Sequence, residues 1–178
     1  GNKVKIISNP MMNICFEKAD KIQFDYDGKY RPSVHFTASK GWINDPNGLV
    51  YYGGRYLMYF QHNPVATTWE NMHWGAAVSD DLIHWEEIGD VLFPDKDGTM
   101  FSGSAIIDKK NLTGLQSGNE PAILYFYTSA GNTSETSKGK PFTQCLAYSN
   151  DGGKTLIKYD KNPIIKNIIK ENRDPKVI

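Results

Sequence analysis

Helical periodicity is nearly absent from this sequence. Apolar residues come in short runs rich in β-branched and aromatic side chains, broken by Gly, Asn, Asp and Pro, which argues against a helical bundle and for strands. Cysteine is scarce as well. Cys15 and Cys145 lie far apart and form no C-x-x-C pair, so neither a zinc site nor a disulfide framework is expected. No charge of one sign dominates: 20 Lys+Arg stand against 20 Asp+Glu, with a pI near 7.1. That balance leaves no basic footprint for nucleic acid and no cationic face for an anionic membrane. Long apolar runs are missing too. The longest, around Pro121 to Tyr127, falls far short of the roughly 20 residues of a membrane-spanning helix. There is neither an initiator Met nor a charged-then-apolar leader, so Gly1 reads as a cloning remnant or a processing end.

What the chain does have is a globular share of apolar residues, 39%, in 178 residues, one ordinary domain's worth or a piece of a larger one. Its four Trp and ten Tyr suit β-structure, and they equally suit sugar binding, because flat rings stack on the apolar faces of sugar rings. Strands are read at Gly48–Tyr52 and Arg55–Phe60, joined by Gly53-Gly54 as a two-residue hairpin, then at His73–Ser79 and Ile83–Ile88. The pattern then begins again. Ser102–Asp108, Ala122–Thr128, Thr143–Ser149 and Thr155–Tyr159 form a second set of four. The repeat leaves a trace at an offset of 70 residues, where Ser79-Asp80-Asp81 answers to Ser149-Asn150-Asp151. Four-stranded antiparallel units in series point to an all-β propeller, of which this chain holds two blades and the start of a third. Trp85 and Tyr159, at matching positions of the two units, read as core between adjacent blades. Pro94–Gly98 and the polar stretch Gly131–Lys140 read as loops, the latter mobile. Residues 1–30 read as an N-terminal extension or the end of a preceding domain, with short strands at Lys3–Ile7 and Lys21–Phe24. Residues 31–178 read as the propeller part.

Candidate chemistry begins at Trp42-Ile-Asn44-Asp45-Pro46-Asn47-Gly48, just before the first blade strand. Asn-Asp-Pro-Asn-Gly is nearly ideal turn chemistry and by itself asks for nothing more. At the matching place before the third blade, however, stands Asn172-Arg173-Asp174-Pro175, a second Asp beside Pro in extended backbone. Both carboxylates can then converge on the propeller channel, and paired carboxylates facing a sugar pocket are what glycoside hydrolysis uses. Alternation along a strand would keep Arg173 and Asp174 from simply pairing with each other. His62, His73 and His84 sit on different elements and read as hydrogen-bonded structural residues, so no metal is expected. Asp95-Lys96-Asp97-Gly98 resembles the opening of a calcium loop but lacks its later acidic ligands. Asn111-Leu-Thr113 and Asn132-Thr-Ser134 are formal glycosylation sequons.

Taken with Gln61-His-Asn63-Pro64, Trp74 to Trp85, and Phe101-Ser102-Gly103-Ser104, these motifs resemble in order and spacing the series of glycoside hydrolase family thirty-two, which contains invertases, inulinases and levanases. The likeness runs from about Arg31 to Ile178. It implies a five-bladed β-propeller needing the remainder of its blades for closure, a retaining reaction on β-fructofuranosyl linkages, and sucrose or a fructan as the carbohydrate partner, with no cofactor. By that resemblance Asp45 is the nucleophile and Asp174 the transition-state stabiliser, assisted by Arg173. Asn44, Gln61, Trp69, Phe101 and Ser102 match the fructose pocket, although Trp69 and Phe101 could equally be packing residues. An extracellular, periplasmic or cell-surface setting is favoured by the resemblance alone.

Two departures from the family stand out. The general acid/base is a Glu in a Glu-Cys motif that follows Arg-Asp-Pro, and this chain stops three residues after Pro175, so by itself it is expected to be inactive. Glu70 and Glu171 lie in no matching motif and are poor substitutes. Ala76-Ala77 stands where relatives often carry His-Ala, with an expected effect on the pocket's edge. A non-catalytic sugar-binding propeller and a five-bladed glycosidase acting on pentosides are the competing readings.

Overall fold

The structure is a computed structural model, and it describes residues 24–178. Two antiparallel four-stranded sheets follow one another along the chain. The first contains β1 (Trp42–Tyr52), β2 (Arg55–Asn63), β3 (His73–Ser79) and β4 (Trp85–Leu92), in that order across the sheet. The second contains β5 (Thr99–Ile107), β6 (Ile123–Ala130), β7 (Thr143–Ser149) and the short β8 (Ile157–Lys158), again in chain order. Among the described residues the one helical element is a 3-10 turn at Glu135–Ser137. The two sheets are successive propeller blades, with their first strands, β1 and β5, packed side by side.

Strand alternation makes the core. Leu57 and Tyr59 on β2, Trp74, Ala76 and Val78 on β3, Ile123, Tyr125 and Tyr127 on β6, and Cys145 and Ala147 on β7 all turn into the gap between the blades. At its centre Trp74 is fully buried, and the Tyr59 and Tyr125 rings meet edge to face at 4.9 Å between centroids. Buried phenols need partners. Here the two hydroxyls hydrogen-bond each other at 2.6 Å, and Tyr59 Oη also donates to the Gly153 carbonyl at 2.9 Å. The opposite face of the first blade packs Phe60, Ala77 and Met58 beneath Phe36 and Ala38 of the preceding segment. Arg31 ties that segment down, donating to the Thr37 and Ala38 carbonyls at 3.1 Å each and stacking on Tyr26. Tyr26 in turn donates to the buried Glu87 at 2.7 Å.

Local chemistry explains where strands stop. Tyr52 pairs with Arg55 across Gly53 and Gly54, both at positive φ, which is the two-residue hairpin that the sequence announces. The repeat at 70 residues turns out to be a repeated turn. Asp81 accepts from the Ile83 and His84 amides, and Asp151 accepts from those of Lys154 and Thr155, each carboxylate also holding the Ser two residues before it. These side-chain turns use up residues 80–84 and 151–155, so β4 begins at Trp85 rather than Ile83 and β8 shrinks to Ile157–Lys158.

Several expectations need correction. Trp85 lies on the face turned away from the neighbouring blade, its ring 6.1 Å from Phe36, and Tyr159 lines an open inter-blade cavity, so neither fills the core between the blades. Trp85 is the first residue of β4, opposite Ser79, and Tyr159 lies just past the end of β8, outside the strand alternation that fills the core. Ala76 and Ala77 are each 1% exposed and belong to the two cores rather than to a pocket's edge. The stretch Gly131–Lys140 is tied down instead of hanging free: Ser134 caps the 3-10 turn, Thr99 and Thr133 hydroxyls bond at 2.7 Å, and the Asn132 side chain accepts from the Gly139 amide at 3.0 Å. Cys15, the Lys3–Ile7 strand and nearly all of Lys21–Phe24 lie outside the described residues; Phe24 itself is not in a strand.

The tyrosine contact yields a stability prediction. Gly152 and Gly153 both have positive φ, but a Cβ on Gly153 would run into the Tyr59 hydroxyl, whereas one on Gly152 meets only Tyr52 at 3.8 Å. Gly153→Ala is expected to cost about 3 kcal/mol, from backbone strain and overpacking together, and Gly152→Ala about 1 kcal/mol, from strain alone. Denaturant midpoints of the two variants of the full-length protein check this difference.

Candidate active site

Two irregularities in neighbouring strands create the site. β1 pairs with β2 through Asn44 opposite Gln61 and Pro46 opposite Phe60, leaving Asp45 as an extra, unpaired residue. β5 pairs with β6 through Phe101 opposite Thr128 and Gly103 opposite Tyr127, leaving Ser102 as the extra one. Each bulge turns its side chain out of the pleat. Glycine permits the second: a Cβ on Gly103 would overlap the Phe126 carbonyl. The two bulged residues then meet, with Ser102 Oγ donating to Asp45 Oδ2 at 2.8 Å.

The Asp45 motif is thus part of β1, not a turn ahead of it. Its turn-forming residues serve a second, larger bulge between Asn47 and Val50, with Gly48 at φ 52 packed against Tyr59, Tyr125 and Trp74. Asp45 itself has φ 21 and Asp174 has φ 61, so both carboxylates hang from unfavourable backbone just before a proline. Strain of this kind, about 1–3 kcal/mol per residue, persists where surrounding structure holds it.

Asp174 lies in an irregular segment and not in a strand, which overturns the expectation of extended backbone there. Without strand alternation the guanidinium of Arg173 is free to swing back. Its Nε comes within 3.6 Å of Asp174 Oδ2 while Nη1 donates to Glu171 at 3.2 Å, so the neighbouring pair does interact. Burial pushes the Asp174 carboxyl above its ordinary range, Arg173 pulls it back, and the negative charge of Asp45 pushes it up again.

Asn44, Asp45, Gln61, Trp69, Phe101, Ser102, Arg173 and Asp174 together line one concavity of about 320 Å³. These are the eight residues singled out from the sequence, brought from β1, β2, the β2–β3 loop, β5 and the segment after β8. Trp69 is 55% exposed with its ring 5.7 Å from that of Phe101, so it is a wall and not core. Phe101 does both jobs, packing on Phe142 at 5.6 Å behind and facing the concavity in front. Trp42 Nε1 donates to Asn44 Oδ1 at 2.7 Å, fixing how that amide is presented. Gln61 is 2% exposed, yet its Nε2 has no hydrogen-bond partner. A buried donor left unpaired is costly, and here it lines a concavity where a ligand hydroxyl could accept from it.

Sequence reasoning missed some of the site's support. Asn47 looks like a turn residue, but it is 1% exposed and its Oδ1 accepts from the Gly103 amide at 3.3 Å, linking the two bulges. Its burial in a strand is invisible while the motif is read as a turn. Glu70 and Glu171 are exposed, bonded to Thr68 and Arg173 respectively, and neither lines the concavity. The histidines are held by neighbours: His62 Nδ1 by Asp90 at 2.6 Å, His73 Nδ1 by the Asn71 carbonyl at 2.6 Å, and His84 Nδ1 by Asp81 at 2.6 Å. Asp95 is bridged to Gly98 and bonded by Lys158 Nζ at 2.6 Å.

Comparison with known proteins gives a consistent picture. The chain is 43% identical over 176 residues to a levanase from Bacillus subtilis (strain 168), an alignment covering 98% of this chain and 25% of the levanase. Its structure resembles an exo-inulinase from Aspergillus awamori with a TM-score of 0.76 at 37% identity, covering 85% of this chain and 33% of that one. It also resembles a β-fructofuranosidase from Schwanniomyces occidentalis solved in complex with fructosyl-erythritol, with a TM-score of 0.73 at 40% identity, covering 83% of this chain and 29% of the other. The chain therefore spans about a quarter of the length of the curated relatives it matches. Residues 35–178 match the model of the glycosyl hydrolases family 32 N-terminal domain, and the chain belongs to that family.

Proposed function

We propose that residues 31–178 are the N-terminal part of a propeller catalytic domain that hydrolyses β-fructofuranosyl linkages in sucrose or fructans with retention of configuration. The observation that carries this reading is the convergence of Asp45, Asp174 and six sugar-compatible side chains on one concavity. The levanase, exo-inulinase and β-fructofuranosidase names of the relatives support the same substrate class.

In this reading Asp45 attacks the anomeric carbon of the fructosyl unit while the glycosidic C–O bond breaks. The leaving oxygen takes its proton from a Glu on a later blade of the full-length protein. Water then hydrolyses the fructosyl ester, returning a proton to that Glu. Ser102 occupies Asp45 Oδ2, which leaves Oδ1 as the attacking oxygen and holds the carboxylate toward the sugar. Asp174 grips fructosyl hydroxyls more tightly as the ring flattens and positive charge grows, and Arg173 keeps its carboxylate oriented. Gln61 Nε2 and the Asn44 amide supply hydrogen bonds to the sugar, with Trp69 and Phe101 as walls. Further blades would cover the apolar side chains that stand exposed in the segment after β8, among them Ile164, Ile165, Ile168 and Ile169.

The experiment is fructose release from sucrose, inulin and levan by the full-length protein. Asp45→Asn is expected to lower kcat by at least about 10³-fold and to yield no fructosyl peptide on residue 45 in quenched reactions analysed by mass. Pentose release from pentosides without any fructose release, or sugar binding without turnover, would sink the proposal.

Asp174 also gives the reaction a pH signature. Its carboxyl is raised above the ordinary range, and Arg173 is the neighbour that lowers it. Activity needing the ionised form is lost as pH falls through that raised value, so Arg173→Met should move the acid limb of kcat/KM to higher pH, and Arg173→Lys should leave it nearly in place. A pH profile of the three proteins decides this.

A further inference from the structure

We infer that Ser104, Thr128 and Gln144 form a three-point clamp that positions Asp174 against Asp45, an inference that rests on the role given to Asp174 above. The segment carrying Asp174 belongs to no sheet, and its backbone departs from what a non-glycine residue prefers, with φ 61 at Asp174. Something outside the segment must hold it. Three polar side chains of the second blade do so, and each is buried: Thr128 0%, Gln144 6% and Ser104 7% exposed.

The bonds form one connected set. Thr128 Oγ1 accepts from the Asp174 amide at 3.0 Å and donates its own proton to Gln144 Oε1 at 2.7 Å. That second bond fixes the Gln144 amide so that Nε2 points to the Asn172 carbonyl, to which it donates at 2.8 Å. On the other side of Asp174, Ser104 Oγ donates to the Pro175 carbonyl at 2.9 Å and accepts from the Val177 amide at 3.0 Å. Residues on both sides of the carboxylate are therefore pinned, and its own amide is pinned between them.

The clamp is tied to the other carboxylate as well. Thr128 pairs across the sheet with Phe101, and Ser104 pairs with Phe126, so the clamping residues flank the bulge that carries Ser102. Ser102 holds Asp45. Neighbouring positions of β5, β6 and β7 thus fix the spacing of both acids through side chains that do not line the concavity of the eight residues, Ser104 facing instead the adjoining one that Asp45, Ser102 and Asp174 share. They are positioning residues: removing one leaves every sugar-contacting group present but lets Asp174 drift. A displacement of about 1 Å in such a site lowers turnover by about 100-fold.

The test is steady-state fructose release by the full-length protein. Thr128→Val keeps the side chain's shape and removes both bonds, and it should lower kcat by roughly 10- to 100-fold with a much smaller change in KM. Thr128→Ser, which keeps the hydroxyl, should restore most of the loss. The acid limb should shift to lower pH in Thr128→Val, since a carboxyl released from burial beside Asp45 returns toward its ordinary value. A purely structural role would lower the melting temperature while leaving kcat per folded molecule and the acid limb unchanged, and that result would overturn the inference. If Thr128→Val does not accumulate as folded protein, Ser104→Ala carries the test, with a smaller fall in kcat in support and an unchanged kcat against. Wild type that releases no fructose overturns the functional reading and the clamp together, whereas active wild type with an unaltered Thr128→Val overturns the clamp alone.

Discussion

The hydrogen bond from Ser102 to Asp45 is possible only because two adjacent strands each carry one residue too many. A regular β1 would point Asp45 along the pleat, and a regular β5 would pair Ser102 with β6. The bulges re-aim both side chains toward the inner edge of the blades, and the rest of the architecture keeps the two bulges level. Asn47 accepts a bond from Gly103 across the gap, so a slip of one strand against the other would break the contact.

What holds the strands level is the aromatic core between the blades. Trp74 lies behind both bulges: its Nε1 donates to the Phe101 carbonyl at 3.1 Å, and its ring packs under Gly48. Tyr59 and Tyr125, one from each blade, are joined through their hydroxyls and to the Gly153 carbonyl, so the largest buried rings also carry directional bonds. Dispersion and burial bring the blades together without fixing their offset. The hydroxyl pair and the indole N–H fix it, because a displaced blade would leave buried donors unpaired.

Much of this was legible in the sequence. Gly53-Gly54 announces its hairpin because few residue pairs tolerate positive φ in succession, and His73–Ser79 and Thr143–Ser149 announce central strands through runs of small, β-branched and aromatic residues. Seven of the eight residues of the concavity lie in the ordered motifs, which specify residue types and spacing, and Trp69 was named through the family resemblance those motifs carry. The bulges were not legible. Asp-Pro-Asn-Gly favours a turn on local energetics alone, and only pairing with β2 draws those residues into a strand. The backbone of Asp174 was equally hidden: an Asp before Pro is ordinarily extended, and the bonds that hold it at φ 61 come from β5, β6 and β7, tens of residues away.

By itself, then, the sequence determined the alphabet and order of the structure: strand after strand with no helical pattern, the doubled four-strand unit with its repeated Ser-x-Asp turn, and the identity of the polar and aromatic groups that line the concavity. Those features are local, set by side-chain periodicity and turn chemistry within a few residues. Tertiary structure alone decided which way the decisive side chains point. Orientation at Asp45, Ser102 and Asp174 depends on an extra residue opposite a partner strand, on the close approach that Gly103 permits, and on buried hydroxyls and amides that satisfy the backbone in a strained shape. Each of these is a contact between residues distant in the chain, and its energy exists only once the blades have packed.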